Sequence, residues 1–499
     1  MGKAAETPSD FLSVFIRVHP WLKKIIQTAA LLLCATTLFA AAPEIESISP
    51  LAIRPGVATE LTLSGDNLAE ATQLWTSFSA KVEAIGAGKF RIKTDAAAGV
   101  GAVRVFGSNG VSNLGFVAFD PLPGVAEAKT NTTRATAQSV EFGNAVDGRC
   151  EELSYDWFKL RAMKGQRVPV EIIAACLGSK LDSMLRVFNA SGRELARNDD
   201  APGASGDSAL SFVAPETGDY FMEVRDVNYG GGSAFFYRLR VGGALLASAR
   251  TERGTMEKEP NDTPANATKI SLPGEFAGAF HKRGDRDRYE FTARQGERLE
   301  FLAATRSLGS PCDTVLQLDS ADGQRLARSN PSAADEGTLT HSFMSNGTYR
   351  LTVQEATGAH GSNLIYCITA RPATGFALTL DTDRVNVAPG QTFDLKVTIM
   401  RSDQKGAIKL ALVNFPEAII LTNGVIAEGK SNVTMKVRAP ETLTPGTWKT
   451  FSVAGTGPRS NETAHVRAST APALRRQWPR LLHAPPESDG VIALGVTRP

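Results

Sequence analysis

The chain has 499 residues, 42% of them hydrophobic, and 54 Lys and Arg against 52 Asp and Glu give a formal net charge of +2. That length can bury several cores and implies three or four domains, since single cores stop growing beyond about 250–300 residues. The near-neutral balance, with no Lys/Arg face interleaved with aromatics, excludes nucleic acid as a partner. With 45 Gly and 26 Pro and few helix-periodic stretches, the composition favours an all-β class of tandem β-sandwiches.

Residues 1–42 read as a signal peptide. Lys23 and Lys24 supply the positive region, Ile25 to Phe39 an apolar run, and Ala40, Ala41 and Ala42 the small residues for cleavage. The run is short for a spanning helix, so the mature chain is expected to carry no membrane span and to be secreted, periplasmic or at the cell surface. From 43 to 120, short alternating runs such as Glu60–Leu63, Phe90–Lys93 and Ala102–Phe106 are separated by turn residues, among them Arg54-Pro55-Gly56 and Ser108-Asn109-Gly110. Ile48-Ser49-Pro50, the run from Leu61 to Leu68 and Val111-Ser112-Asn113 resemble a transcription-factor-type immunoglobulin-like (IPT/TIG-like) domain. In exported proteins that resemblance implies a spacer or adhesion module.

Residues 121–243 and 257–372 are two copies of one pattern, joined by a 244–256 linker. Asn131, Ala135, Ala137 and Val140 match Asn261, Ala265, Ala267 and Ile270, while Asp156 and Phe158 match Asp287 and Tyr289. Gly192 falls on Gly323, Gly218-Asp219-Tyr220 on Gly347-Thr348-Tyr349, and Tyr237 on Tyr366. A spacing of roughly 130 residues kept end to end is a domain duplication, too long for a solenoid unit. Apart from Cys34, the cysteines fall two in each copy, at Cys150 and Cys176 and at Cys312 and Cys367. In an oxidising compartment the split between copies favours Cys150–Cys176 and Cys312–Cys367 disulfides among the three pairings that four cysteines allow.

The second copy carries acidic clusters at both ends of a short strand-like run: Glu257, Glu259, Asn261 and Asp262, then Asp285 and Asp287. Oxygen donors gathered this way suit a hard cation such as Ca²⁺, which takes six to eight oxygens, although charge clusters on loops are usually only solvated. Glu259-Pro260-Asn261-Asp262, the run from Gly284 to Phe291 and the run from Leu308 to Asp313 resemble the bacterial pre-peptidase C-terminal domain. That family is a β-sandwich of secreted proteins, related to the collagen-binding domains of clostridial collagenases. The resemblance implies calcium held by Glu257, Glu259, Asn261, Asp262, Asp285 and Asp287. The first copy departs from the pattern, with Lys129 for Glu259, Thr132 for Asp262 and Ser154 where Asp285 should be, so it is not expected to bind calcium. The loop Asn198-Asp199-Asp200 with Asp207 reads as a solvated turn.

Residues 373–470 show another β pattern, in which Phe376 to Leu380, Val387 to Thr392 and Pro445-Gly446-Thr447-Trp448 look like an immunoglobulin-like sandwich. The order of domains is similar to that of planctomycete-type exported proteins. Beyond Thr470, Arg475-Arg476-Gln477-Trp478-Pro479-Arg480 and Pro485-Pro486 show no strand alternation, and 471–499 is expected to be disordered.

No catalytic arrangement stands out. There is no His-Glu-x-x-His helix and no Gly-x-Ser-x-Gly elbow, and His19, His281, His341, His360, His465 and His483 lie at no metal-ligand spacing. Gly206-Asp207-Ser208-Ala209-Leu210 is superficially like a lipase motif, but its counterpart is Glu336-Gly337-Thr338-Leu339, without the serine, so it reads as a turn. The sequence therefore points to an exported, non-catalytic binding, adhesion or spacer protein whose partner is an extracellular or cell-surface protein or polysaccharide. The alternative is the accessory region of a secreted peptidase or other hydrolase.

Overall fold

The computed structural model describes residues 41–499, apart from 97–98, 200, 202–206, 244–254, 307–309, 311, 331–334, 362–363, 403, 416–418, 460–461 and 482–485. The expected signal peptide, apart from its last two residues, and most of the 244–256 linker lie outside the described residues. Among these, no helix is long and apolar enough to cross a membrane.

The protein is all-β, built from four β-sandwiches in a row, each with its own buried core between facing sheets. In both copies of the duplication a five-stranded sheet faces a second five-stranded sheet, and the strand order is the same in each copy. Alternation produces the core. Strand Asp156–Ala162 and its counterpart Asp287–Ala293 share one burial pattern, with every second side chain turned inward. Phe158, Met222 and Tyr237 in the first copy, and Tyr289, Leu351 and Tyr366 in the second, are fully buried. Burying a large apolar side chain stabilises by about 1.5–3 kcal/mol. The repeated Gly-x-Tyr has a structural reason: Tyr220 Oη donates to the Glu216 carbonyl at 2.7 Å and Tyr349 Oη to the Ser345 carbonyl at 2.8 Å, each tying a strand to the turn before it.

Two sequence expectations are overturned. The described residues of 471–499 are ordered rather than disordered. Helix Ala471–Gln477 is followed by strand Ile492–Val496, which pairs in parallel with Arg384–Val387 and antiparallel with Trp448–Arg459. Leu474 and Leu481 are buried among Leu51, Phe116, Leu177 and Phe236 of the first sandwich and first repeat, and Trp478 meets Phe116 edge-on. The arginines hide this amphipathic docking from a composition argument. The fully buried strand Ile492-Ala493-Leu494-Gly495-Val496 has no alternation to read.

Nor does either expected disulfide exist. Cys150 lies in the core of the first repeat, whereas Cys176 packs against the cluster between that repeat and the first sandwich. Cys312 is inside the second repeat, its thiol 3.5 Å from the Ile365 carbonyl, and burial pushes it up to about 12. Cys367 follows the inward-facing Tyr366 on strand Ile365–Pro372 and so lies on the opposite face of the sheet.

The first sandwich is bonded to both the first repeat and the last sandwich. Asp120, fully buried, accepts from Arg238 Nε at 2.7 Å and Arg240 Nε at 3.1 Å, and Arg238 Nη1 reaches Asp147 at 2.7 Å. On its other side Arg104 Nη2 meets Asp383 at 2.6 Å and Arg104 Nη1 donates to the Ser112 carbonyl at 2.7 Å. Beside that pair the Asn386 amide accepts from Val111 N at 2.8 Å and donates to Val111 O at 3.0 Å, taking the place of a neighbouring strand. Trp448 packs against Trp75 and Phe106.

Candidate metal centre

The acidic residues of the second repeat are positioned by strand pairing. Thr255–Met256 runs parallel to Gly274–Ala279, which brings Glu257 to the sheet edge, where its N–H donates to the Ala277 carbonyl. The Glu257 carboxylate then turns inward across Gly278. A Cβ at Gly278 would come within 2.6 Å of that carboxylate and 2.4 Å of Tyr366 Oη, so only glycine leaves room for it. Glu257 accepts from Ala279 N at 2.7 Å and Asn261 Nδ2 at 3.2 Å. Asp285 sits on the turn before strand Asp287–Ala293, where its Oδ2 accepts from His281 N at 2.6 Å.

Five of the six predicted residues converge. One oxygen each of Glu259, Asp285 and Asp287 lies within 4.8 Å of the others, and Glu257 and Glu259 form a similar group with His281. Asn261 Oδ1, Asp285 Oδ1 and Asp287 Oδ1 are buried with no hydrogen-bond partner. A buried oxygen without a donor costs about 1–3 kcal/mol, and of the three Asp285 Oδ1 has the Lys282 ammonium nearby, at 3.8 Å. Asp287 Oδ2 accepts from Tyr366 Oη at 2.7 Å. Burial, and then the nearby Glu257 carboxylate, push the Asp287 carboxyl up to about 9, and burial likewise raises Glu257.

Asp262 is the exception. Its carboxylate forms an ion pair with Lys282, whose hydrogen bond holds it below the ordinary carboxylate range, and it belongs to neither oxygen group. His281 is the residue missed by spacing. It is drawn to the rim by the Asp285 turn, with its Nδ1 3.9 Å from Glu257. A hard cation fits this donor set, which is oxygen throughout apart from that imidazole.

The first repeat keeps the frame and changes the centre. Glu127 stands at the place of Glu257, a counterpart not noticed in the sequence, and accepts from Asn131 Nδ2 at 3.3 Å and Arg149 N at 3.1 Å. Tyr237 Oη donates to Asp156 at 2.8 Å as Tyr366 does to Asp287, and Gly148 leaves the same clearance as Gly278. Lys129, however, extends its ammonium to Glu127 Oε2 at 2.8 Å, so a tethered cation stands where the second repeat offers the Glu259 carboxylate. Burial, with Glu127 next, pushes Asp156 up to about 8.

The lipase-like stretch is a structural turn. Asp207 accepts from Ala174 N and Ala175 N at 2.8 and 2.9 Å, and Ser208 exchanges a hydrogen bond with Ser183. Glu336 repeats the Asp207 bond by accepting from Thr305 N at 3.2 Å. Gly206 and Asp200 lie outside the described residues.

No family model matches the chain. A stretch of 107 residues is 35% identical to a probable subtilase-type serine protease of Deinococcus radiodurans, covering 20% of this chain and 14% of that protein. The chain thus spans about a seventh of the length of that relative. Among solved structures it aligns with an ICAM-5 D1–D4 ectodomain fragment at 13% identity over 84% of this chain and 96% of that one, with a TM-score of 0.13. Salmonella α2-macroglobulin aligns at 10% identity over 85% and 39%, with a TM-score of 0.16. At those scores the superpositions carry no argument, and the sandwich class rests on the sheets themselves.

Proposed function

We propose that this is an exported, non-catalytic binding or spacer protein whose second repeat, of the pre-peptidase C-terminal kind, holds a calcium ion. The observation that carries the reading is the set of buried oxygens of Asn261, Asp285 and Asp287 that accept no hydrogen bond, beside Glu257 and Glu259, with the Lys282 ammonium no nearer than 3.8 Å to Asp285 Oδ1. Asp262 is left out of the cage and bound to Lys282. The ion fixes the loops at one end of the second sandwich and takes no part in a reaction. The test is thermal unfolding of the full chain in calcium and in chelator, with Asp285→Ala as the variant that loses the response.

The first repeat supplies a second test. In the Asp285→Ala background, adding Lys129→Glu and Ser154→Asp is expected to restore a calcium-dependent rise in melting temperature, because the tethered ammonium is gone and two carboxylates have returned. A melt that still ignores millimolar calcium, the range typical of extracellular modules at roughly 10⁻⁴–10⁻³ M, would refute the equivalence of the two sites.

The stretch shared with the subtilase-type protease favours a second reading, that of an accessory region of a secreted peptidase. On the first reading the purified full chain cleaves no casein with or without a serine-protease inhibitor. Inhibitor-sensitive cleavage would contradict both readings, and faster casein hydrolysis by a subtilase-type catalytic domain when this chain is added would favour the second.

A further inference from the structure

The two repeats differ on the outer face of one sheet, and in the second repeat that face is hollow. A pocket of about 430 Å³ opens there, lined among others by Arg288, Gln317, Asp319, Arg325 and Arg350. Strand register explains its charge. Glu290 pairs with Arg350, Arg350 with Asp319, and Asp319 with Arg325, so one row across four strands alternates in sign. Arg350 is already committed, to Glu290 at 3.1 Å and the Ala321 carbonyl at 2.9 Å. Asp319 accepts from the Gln317 amide at 2.9 and 3.1 Å. Among the described residues Arg288 uses only its Nε, on the Asp262 carbonyl at 2.7 Å, and Arg325 has no carboxylate partner. The pocket therefore holds two uncommitted guanidinium faces beside an amide, a hydroxyl and a buried carboxylate.

The first repeat has the same strand order there and different side chains. Trp157, Phe188 and Phe221 stand at the places of Arg288, Asp319 and Arg350. Arg134, in place of Pro264, lies over the Phe221 ring at 4.3 Å and donates to the carbonyls of Asn189 and Ala190 at 2.8 and 2.5 Å. Trp157 and Phe188 pack together at 5.5 Å. One copy fills the face with an arginine on aromatics, while the other withdraws that side chain and lines the hollow with charge.

We infer that this pocket of the second repeat binds a uronic-acid residue of an acidic polysaccharide, its carboxylate on Arg288 and Arg325 and its ring hydroxyls on Asp319 and Gln317. Guanidinium groups bind carboxylates bidentately, and Asp319 calls for a ligand that also brings hydroxyl donors. The carboxylate of Asp319 disfavours a densely charged phosphate chain. The ligand class rests on reading the chain as a binding protein.

The test is calorimetric titration of the full chain with tri-galacturonate, galactotriose and tri-glutamate. Tri-galacturonate is expected to bind, at least tenfold more tightly than either of the others, and to weaken as salt is raised. Arg288→Ala and Arg325→Ala should each weaken it at least tenfold, and Arg325→Ala should leave the melting temperature in place, since Arg325 is exposed at the start of its strand. Absent binding, equal binding of galactotriose or tri-glutamate, or binding indifferent to both substitutions would each overturn the assignment. A chain that fails here but still responds to calcium loses this pocket alone. Uronate binding by a chain that ignores calcium would remove the metal centre and leave the pocket.

Discussion

Calcium at a hundredfold excess over its Kd is expected to stabilise the second repeat by about 2.7 kcal/mol, a rise in melting temperature on the order of 10 °C for a domain of this size. The effect should depend on pH. Without the ion the Asp287 carboxyl, pushed up to about 9 by burial and then by Glu257, keeps its proton in the folded state, while the unfolded chain releases it at about 3.9. The folded state then binds more protons, so stability in chelator is greatest in acid and falls as pH rises from about 4 towards 9. The cation takes the place of that proton. Apparent affinity should therefore rise by about tenfold per pH unit across that window, and titrations in buffers of different ionisation enthalpy should report about one proton released per ion. Asp285→Ala should remove both the melting shift and the proton release. An increment unchanged between pH 5.5 and 8.5 would contradict this account.

Arg104→Ala is expected to destabilise the junction of the first and last sandwiches by about 3–5 kcal/mol, because it leaves a carboxylate buried without its partner. The side chains of Arg104 and Asp383 are 4% and 8% exposed. Burial presses Asp383 upward, but the paired guanidinium outweighs it and holds the carboxyl below its ordinary value. Burial draws Arg104 down, yet its ordinary value is so high that it stays charged wherever the protein folds. With the Asp383 value depressed, the stabilisation is present above about pH 4, the unfolded carboxylate range, and is lost as the pH falls below it. Arg104→Met with Asp383→Leu should recover most of the loss, since replacing both charges of a buried pair with apolar groups is often neutral. Denaturant unfolding of the variants, singly and together, gives the coupling. A single-variant loss under about 1 kcal/mol would mean that water reaches the pair.

What could be read in the sequence was whatever repeats or alternates. The period-two pattern of Asp287–Ala293, the matched glycines and the Gly-x-Tyr turns are local signals, and they carry the sandwich class and the duplication. The acidic cage was legible because its members lie in two short clusters. The diversion of Asp262 was not, because it depends on where the Lys282 side chain reaches across the loop. His281 was missed because the Asp285 carboxylate, accepting from its backbone N–H, and not sequence spacing, brings it to the rim. The proposed disulfides failed because a count of cysteines says nothing about which face of a strand each occupies. Arg104 and Asp383 are 279 residues apart, and no local pattern reveals such a contact.

The position of strand Ile492–Val496 sets the order in which the molecule can be finished. It lies between Arg384–Val387 and Trp448–Arg459, so until residues 492–496 are available that sheet exists as two unjoined pieces. The partners of Val111 and Arg104 on Asn386 and Asp383 belong to the same half-built sheet. Domains generally form from the N-terminus onward during synthesis, and contacts distant in sequence are slow to form because loop closure must precede them. Arg104 and the Trp75 ring of the first sandwich therefore stay uncovered until Asp383 and Trp448 of the last sandwich arrive. The slowest step of folding should be this final docking, and the interval before it is when the chain is most exposed to aggregation.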